Sequence, residues 1–294
     1  MRRAALIVNP NASRVTWPLV RGVMEELAAG GPVEQLVTER PMHAQELAAS
    51  VGSSFDELFI FSGDGGYNEV VNGLCDGPPV GFLPGGATSV LPRALGLPRD
   101  PVACARHLVQ SGGRRRISLG RVNGRRFTFC AGVGLDAELV RAVDSLGRHD
   151  GRRPGDVAFV RQLGRILRAR NWRIEPSMTV EGHGRVALAV VSNCDPYSYA
   201  GRLPLRATPE ARFELGLDLV GPKGLGPAGL ARLGWSLLVH PTHQRSPDYL
   251  YVHDADRVVV DCDHPTALQV DGEDIGDVTE VILESERDAL TVLV

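Results

Sequence analysis

The chain reads as two domains: an N-terminal α/β domain on a parallel sheet, and a C-terminal antiparallel β-sandwich. Three observations predict this. Its 294 residues are about twice the ~150 expected of one domain. Through residue 117, short apolar runs alternate with stretches of helical period. From residue 118, short strand-like runs follow one another with turns between them and few helices. The predicted boundaries are therefore 1–117 and 118–286.

In the first domain the strands are Ala4–Val8, Val33–Val37, Leu58–Phe61 and Val80–Leu83. They are apolar throughout, as strands covered on both faces are. The helices between them are Trp17–Ala29, His43–Val51, Asn68–Leu74 and Val102–Val109. Strand and helix in alternation imply a parallel sheet with helices on both faces. In the second domain, Arg126–Ala131, Met178–Val180, Val186–Val191 and Leu215–Val220 read as strands. So do Tyr249–Val252, Val258–Asp261 and Ala267–Val270. Two helices interrupt them, Asp156–Ala169 and Ala228–Val239. Gly147–Gly155, rich in Gly and Arg with no large apolar residue, reads as a mobile loop.

Composition narrows the function. Hydrophobic residues at 43% and charged residues at 23% are those of a globular protein. A net charge of -3 argues against bulk nucleic-acid binding. Lys223 is the only lysine, so 31 of the 32 basic residues are arginine. The 5 cysteines (Cys75, Cys104, Cys130, Cys194, Cys262) contain no CxxC pair, which predicts reduced thiols in a cytoplasmic protein and neither disulfides nor zinc. The apolar run after Arg2-Arg3 is too short for a signal peptide, and no run is long enough to span a membrane. Any membrane contact is expected to be peripheral.

The segment richest in chemistry is Ser62-Gly63-Asp64-Gly65-Gly66, between an apolar strand and a helix. Glycines there let backbone amides approach a ligand, and a helix start suits phosphate. Asp64 adds a carboxylate for Mg²⁺ or a proton. The plain alternative is a strand-to-helix turn with Asp64 as a cap. A second glycine turn, Gly85-Gly86-Ala87-Thr88, follows the next strand, and Asn9-Pro10 to Arg14 and Thr38 follow the first two. In open parallel sheets ligands bind at that carboxyl edge.

These residues resemble the diacylglycerol kinase catalytic-domain family, which includes bacterial lipid kinases and the sphingosine and ceramide kinases. The resemblance runs from Asn9-Pro10, Thr38 and His43-Ala44 through the Gly63-Asp64-Gly65 turn and Asn68–Leu74, Leu83–Gly86 and Arg93–Gly96. It continues through Gly132–Ala137, Pro209-Glu210-Ala211 and Leu217-Asp218, and closes at Gln269-Val270-Asp271-Gly272-Glu273. It implies a first domain similar to NAD kinases and phosphofructokinases that binds ATP, and a sandwich domain that takes a lipid, with 287–294 returning to the first. The implied reaction is transfer of the γ-phosphoryl group of ATP to the hydroxyl of diacylglycerol or a related lipid alcohol, with Mg²⁺. The expected catalytic carboxylates are Asp64, Asp271 and Glu273, with Asp64 also on the metal. The expected nucleotide contacts are Asn9, Pro10, Arg14, Thr38, Ser62, Gly63, Gly65, Gly66, Glu69, Gly85, Gly86 and Thr88. The expected partner is a lipid at the inner membrane surface, and the sequence leaves a homodimer open.

The chain departs from the family in places. Ser62 stands where the bacterial members have Gly, and Gly66 where they have Thr. The usual Gly-Thr-x-Asn-Asp is Gly86-Ala87-Thr88-Ser89-Val90, and Leu215 replaces an Asp before Gly216. Pro92 is expected to open a helix. Hence two rivals stand beside the lipid kinase: a catalytically silent lipid- or nucleotide-binding protein, and a kinase of a soluble small molecule. Arg114-Arg115-Arg116 reads as a solvated charge run before a strand. Arg161, Arg165 and Arg168 fall on one helical face, with Arg148, Arg152 and Arg153 before them. That face is either solvated or drawn to an anionic membrane. His240 and His243 have no third partner for zinc.

Overall fold

In a computed structural model of the chain, the described residues are 2–51, 54–74, 77–147 and 154–294. Cys75, Arg148, Arg152, Arg153 and the middle of the expected Gly147–Gly155 loop lie outside them. The chain divides into two compact units: residues 1–117 with 288–294, and residues 118–287.

The first unit alternates β1 (Ala4–Val8), α1 (Trp17–Ala28), β2 (Val33–Val37), α2 (His43–Val51), β3 (Glu57–Ser62), α3 (Asp64–Gly73) and β4 (Val80–Pro84), followed by α4 (Val90–Ala94) and α5 (Pro101–Ser111). The strands are parallel in the order β2-β1-β3-β4. The final residues of the chain add a parallel strand beside β4, through Val292 opposite Val80. β1, β3 and β4 are buried along their whole length, which is why they are continuously apolar. β2 is only partly covered and accordingly carries Glu34 and Gln35. α1 packs with α5, and α2 with α3. The second pair is close: a Cβ added at Gly73 would lie 2.2 Å from the Gln45 carbonyl oxygen. α5 is bounded by Asp100, whose carboxylate accepts the Ala103 N–H at 2.8 Å, and by Gly112 at φ 57.

The second unit holds β5 (Arg114–Val122), β6 (Arg125–Phe127), β7 (Cys130–Val133), α6 (Leu135–Asp144), α7 (Asp156–Ala169), β8 (Met178–Val180), β9 (Gly184–Val186) and β10 (Ala189–Ser192). It continues through β11 (Ser198–Ala200), β12 (Leu203–Leu205), β13 (Leu217–Pro222), α8 (Pro227–Leu238), β14 (Tyr249–Ala255), β15 (Arg257–Val270) and β16 (Glu273–Leu293). The first residues of β5 and the last of β16 belong to the first unit. Strands β14-β13-β10-β7-β15-β16 pair antiparallel in that order. β15 changes partner along its length. Leu268–Val270 pair with β7 and Val260–Cys262 with β8, on either side of an irregularity between Asp261 and Thr266. The core of this unit is gathered from Val133, Val191, Leu219, Val260, Leu268 and Leu283, with α6 and α7 laid on it.

Several expectations need correction. The helix expected from Asn68 begins at Asp64, because the glycine turn is itself the first helical turn. α4 begins at Val90, so Pro92 sits in its first turn but does not open it. Arg114–Arg116 lie inside β5. Arg126–Ala131 is not one strand: it breaks at Thr128-Phe129, whose amides turn to a side chain described below. Val186–Val191 likewise divides into β9 and β10. Val258–Asp261 and Ala267–Val270 are one strand, β15. α6 was not expected; Leu135, Val140 and Val143 form its buried face.

Candidate active site

The register of the first unit sets the candidate residues in a row. Val37, Val8, Phe61 and Leu83 lie side by side on β2, β1, β3 and β4, so Thr38 and Asn9, just past β2 and β1, stand level with Ser62 and Pro84, the last residues of β3 and β4. Backbone bonds tie these exits: Thr38 N–H to Val8 O at 2.9 Å, Asn9 N–H to Phe61 O at 3.0 Å, Gly85 N–H to Ser62 O at 2.7 Å and Arg14 N–H to Gly85 O at 2.9 Å. Asn9 Oδ1 accepts the Asn11 N–H at 3.0 Å, which shapes the turn through Pro10. The buried Tyr67 hydroxyl is bonded to the Ser62 and Leu83 carbonyls, at 2.7 and 2.8 Å, and pins the two strand ends. Burial pushes that phenol well above its ordinary range.

The two glycine turns meet back to back. A Cβ added at Gly86 would lie 2.9 Å from Gly63 Cα. One added at Gly66 would lie 2.1 Å from Ser62 Oγ, a buried hydroxyl with no hydrogen-bond partner among the described residues. The two departures from the family pattern are thus one exchange in space. Ser62 fills the volume that a side chain at 66 would need, and Gly66 leaves it free. α3 starts at the N-cap Gly63 with no side-chain cap, so the positive end of the helix falls at the glycine turn.

Asp64 is half-buried, and its Oδ1 accepts the Leu91 N–H of α4 at 3.3 Å. Thr88 is half-buried and Arg14 is exposed. Ser89, at φ 48, returns its hydroxyl to the Gly86 N–H at 3.0 Å. Glu69 is engaged elsewhere: its Oε2 accepts the Ala44 N–H at 3.1 Å and caps α2.

In the second unit Asp271 and Gly272, at φ 48 and 79, make a two-residue turn between the paired Val270 and Glu273. The Asp271 carboxylate, in a residue only 3% exposed, accepts four hydrogen bonds. Oδ2 takes the Thr128 N–H at 2.7 Å and the Thr128 hydroxyl at 2.9 Å; Oδ1 takes the N–H groups of Phe129 at 3.0 Å and Cys130 at 3.2 Å. A carboxylate has about four acceptor positions, so these partners occupy it. Glu273 is exposed and paired with Arg125 at 3.1 Å.

Asp136, within the Gly132–Ala137 motif but not among the expected site carboxylates, joins this network. Gln269 receives the Gly272 N–H on Oε1 at 2.8 Å and donates from Nε2 to Asp136 Oδ2 at 2.8 Å, while the Tyr197 hydroxyl donates to Oδ1 at 3.1 Å. Burial raises the Asp136 carboxyl against the pull of those two bonds. The clue in the sequence was an Asp in the first turn after Gly132-Val133-Gly134. Asp218 forms a separate buried centre, accepting from the Tyr251 hydroxyl at 2.7 Å, bonded to His253 Nδ1 at 2.8 Å, and accepting from the Asp254 N–H at 3.0 Å. His243 is held by Ser236 and the Ala207 carbonyl, and no cluster of His, Cys, Asp and Glu able to hold a metal by itself occurs among the described residues.

A parallel sheet whose carboxyl edge carries two abutting glycine turns and an uncapped helix start has the chemistry to receive a phosphate. Residues 3–122 match the model of the diacylglycerol kinase catalytic domain. The diacylglycerol kinase of Bacillus subtilis is 34% identical over 157 residues, 49% of this chain and 50% of that protein. That of Staphylococcus saprophyticus is 33% identical over 141 residues, 45% of each. The matched stretch thus spans about half the length of these relatives. The fold matches over nearly the whole chain. A crystal structure of a diacylglycerol kinase from Bacillus anthracis superposes with a TM-score of 0.75 at 19% identity, covering 99% of this chain and 96% of that one. An NAD kinase from Archaeoglobus fulgidus in complex with ATP gives 0.51 at 13%, covering 99% and 93%.

Proposed function

We propose that the chain is a lipid kinase that transfers the γ-phosphoryl group of ATP to the hydroxyl of diacylglycerol or a related long-chain lipid alcohol. The observation that carries the reading is the row of turns at the carboxyl edge of the first unit, with α3 uncapped between Ser62 and Gly66. The amides of Gly63 and Gly65 and the positive end of α3 receive the phosphates, between Asn9 and Thr38 on one side and Thr88 on the other. Arg14 supplies a cation at the rim.

The donors present fit Mg²⁺, which takes one or two carboxylates and completes its shell with water and phosphate oxygens; Asp64 is that carboxylate. Bound there, the ion neutralises charge on the phosphate oxygens. Glu69 caps α2 and acts on the site only by holding α2 to α3. In the second unit Asp271 is a positioning residue for its turn and for the bend at Thr128–Cys130. The exposed Glu273 is the carboxylate of the second unit able to take the proton of a lipid hydroxyl.

The test is transfer of ³²P from γ-labelled ATP to a panel of diacylglycerols, ceramide and sphingoid bases in mixed micelles. Transfer to at least one, lost in Asp64→Asn, is expected. ATP binding without transfer to any of them would instead identify a silent binder, the reading favoured by the altered Gly86–Val90 segment. Transfer only to a water-soluble acceptor would identify a small-molecule kinase.

A further inference from the structure

α8 is apolar on every side; among Pro227–Leu238 the only charge is Arg232. Its inner face, through Leu230, Leu233 and Leu237, packs on the core of the second unit. Its outer face presents Trp235, 64% exposed, with Leu238 and the following Val239. α7 repeats the arrangement. Leu163, Ile166 and Leu167 face the core, while Val157 and Val160 are 74% and 70% exposed. Arg161, Arg165 and Arg168 continue along that outer face, exposed and without an ion-pair partner among the described residues.

The β11–β12 hairpin brings the two outer faces together. A Cβ at its turn residue Gly201 would lie 3.5 Å from Asp156 Oδ2 at the start of α7. At its other end the Arg206 N–H donates to the Leu237 carbonyl of α8 at 2.9 Å, and β12 packs on α8. The hairpin adds its own exposed side chain, Leu203. Apolar groups from three elements therefore stand around one hairpin, with three arginines extending from them and Asp156 as the acid at that end of α7.

We propose that this face seats the chain on the surface of an anionic bilayer, a reading that deepens the lipid-kinase proposal and rests on it for its purpose. Trp235 suits the depth where hydrocarbon meets headgroups. The arginine stems lie along apolar surface while their heads reach lipid phosphates. A second copy of the chain is a poorer occupant: a two-fold contact places the same patch on itself and would bring the arginine rows of α7 together.

The experiment is co-sedimentation of the full chain with phosphatidylglycerol/phosphatidylcholine vesicles and with phosphatidylcholine alone, without nucleotide or acceptor lipid. Binding to the anionic vesicles is expected. Arg161→Gln/Arg165→Gln/Arg168→Gln should weaken it about 100-fold, roughly fivefold per charge. Trp235→Ala/Leu238→Ala should weaken it at least about tenfold. Melting curves confirm that both variants fold. Absence of binding by the unaltered chain, or equal binding by the variants, overturns the proposal. So does a concentration-dependent dimer that Trp235→Ala/Leu238→Ala abolishes, since the face would then belong to a second copy. Phosphorylation of a short-chain diacylglycerol below its micellar concentration reads the kinase proposal separately. Both variants should retain it at the unaltered rate. Its absence alongside intact vesicle binding would remove the kinase proposal and support the membrane face.

Discussion

Asp271→Asn is the substitution a mechanistic study would choose to remove a base while keeping shape, and the structure predicts that it does not keep shape. The amide has one acceptor oxygen to offer where the carboxylate serves Thr128, Phe129 and Cys130. Placed toward Phe129 and Cys130, that oxygen retains two bonds, and the new –NH₂ faces the Thr128 N–H. One buried amide is orphaned, at about 1–3 kcal/mol, and the remaining bonds lose the strengthening a charge provides. The expected loss is about 3 kcal/mol, or about 6–12 °C in Tm for a unit of this size. Glu273→Gln changes only an exposed ion pair, worth about 0–1 kcal/mol, and should hardly move the Tm. The assay pairs thermal melting with ³²P transfer. Glu273→Gln should lower kcat by roughly 10²–10⁴-fold at unchanged stability, whereas Asp271→Asn should lower stability and activity together. An unchanged Tm for Asp271→Asn, with transfer abolished, would refute this reasoning and return the role of base to Asp271.

Two further outcomes follow from the geometry. Gly66→Ala puts a Cβ against Ser62 and should destabilise by about 1–3 kcal/mol; Ser62→Gly in the same chain should recover most of it, and additive losses in melting experiments would show that the two positions do not share that space. His253 sits against Asp218, with Glu210 and Asp254 beyond, and is raised by the Asp218 hydrogen bond first and by the charges of these three. Because the folded state holds this proton more tightly than the unfolded chain, the contribution is complete below about pH 6.5 and is lost as pH rises through the higher folded value. The ring is 41% exposed, so solvent screens the effect. His253→Gln should flatten that part of a stability–pH profile, and an unchanged slope would show that the pair is not linked to folding.

The parallel sheet was legible because β1, β3 and β4 are covered on both faces and so are written as unbroken apolar runs. The turns were legible because glycine and asparagine cluster after each run. The start of α3 was not, since three glycines in five residues read as a turn even where they continue into a helix. α6 was missed because it is short and follows directly on another glycine motif, although Leu135, Val140 and Val143 share a face. Asp271 shows the limit most clearly. Asp-Gly between alternating residues is a strong hairpin signal, and the resemblance drew attention to its chemistry. Nothing local shows that its partners are backbone N–H groups 141–143 residues away. The break in the strand at Thr128-Phe129 has the same cause and was invisible for the same reason. Glu69 belonged to the family-like helix in the sequence, but its carboxylate serves the start of α2.

The central claim, that the carboxyl edge of the first unit holds a metal-bound nucleotide on α3, is tested most directly by calorimetric titration of ATP with and without Mg²⁺. Unaltered protein and Asp64→Asn would be compared. In the unaltered protein Mg²⁺ should tighten ATP binding at least about tenfold, a difference of about 1.4 kcal/mol. In Asp64→Asn that increment should disappear, leaving the weak metal-free affinity of the glycine turns. No binding at millimolar ATP, or the same Mg²⁺ increment in both proteins, would contradict the assignment.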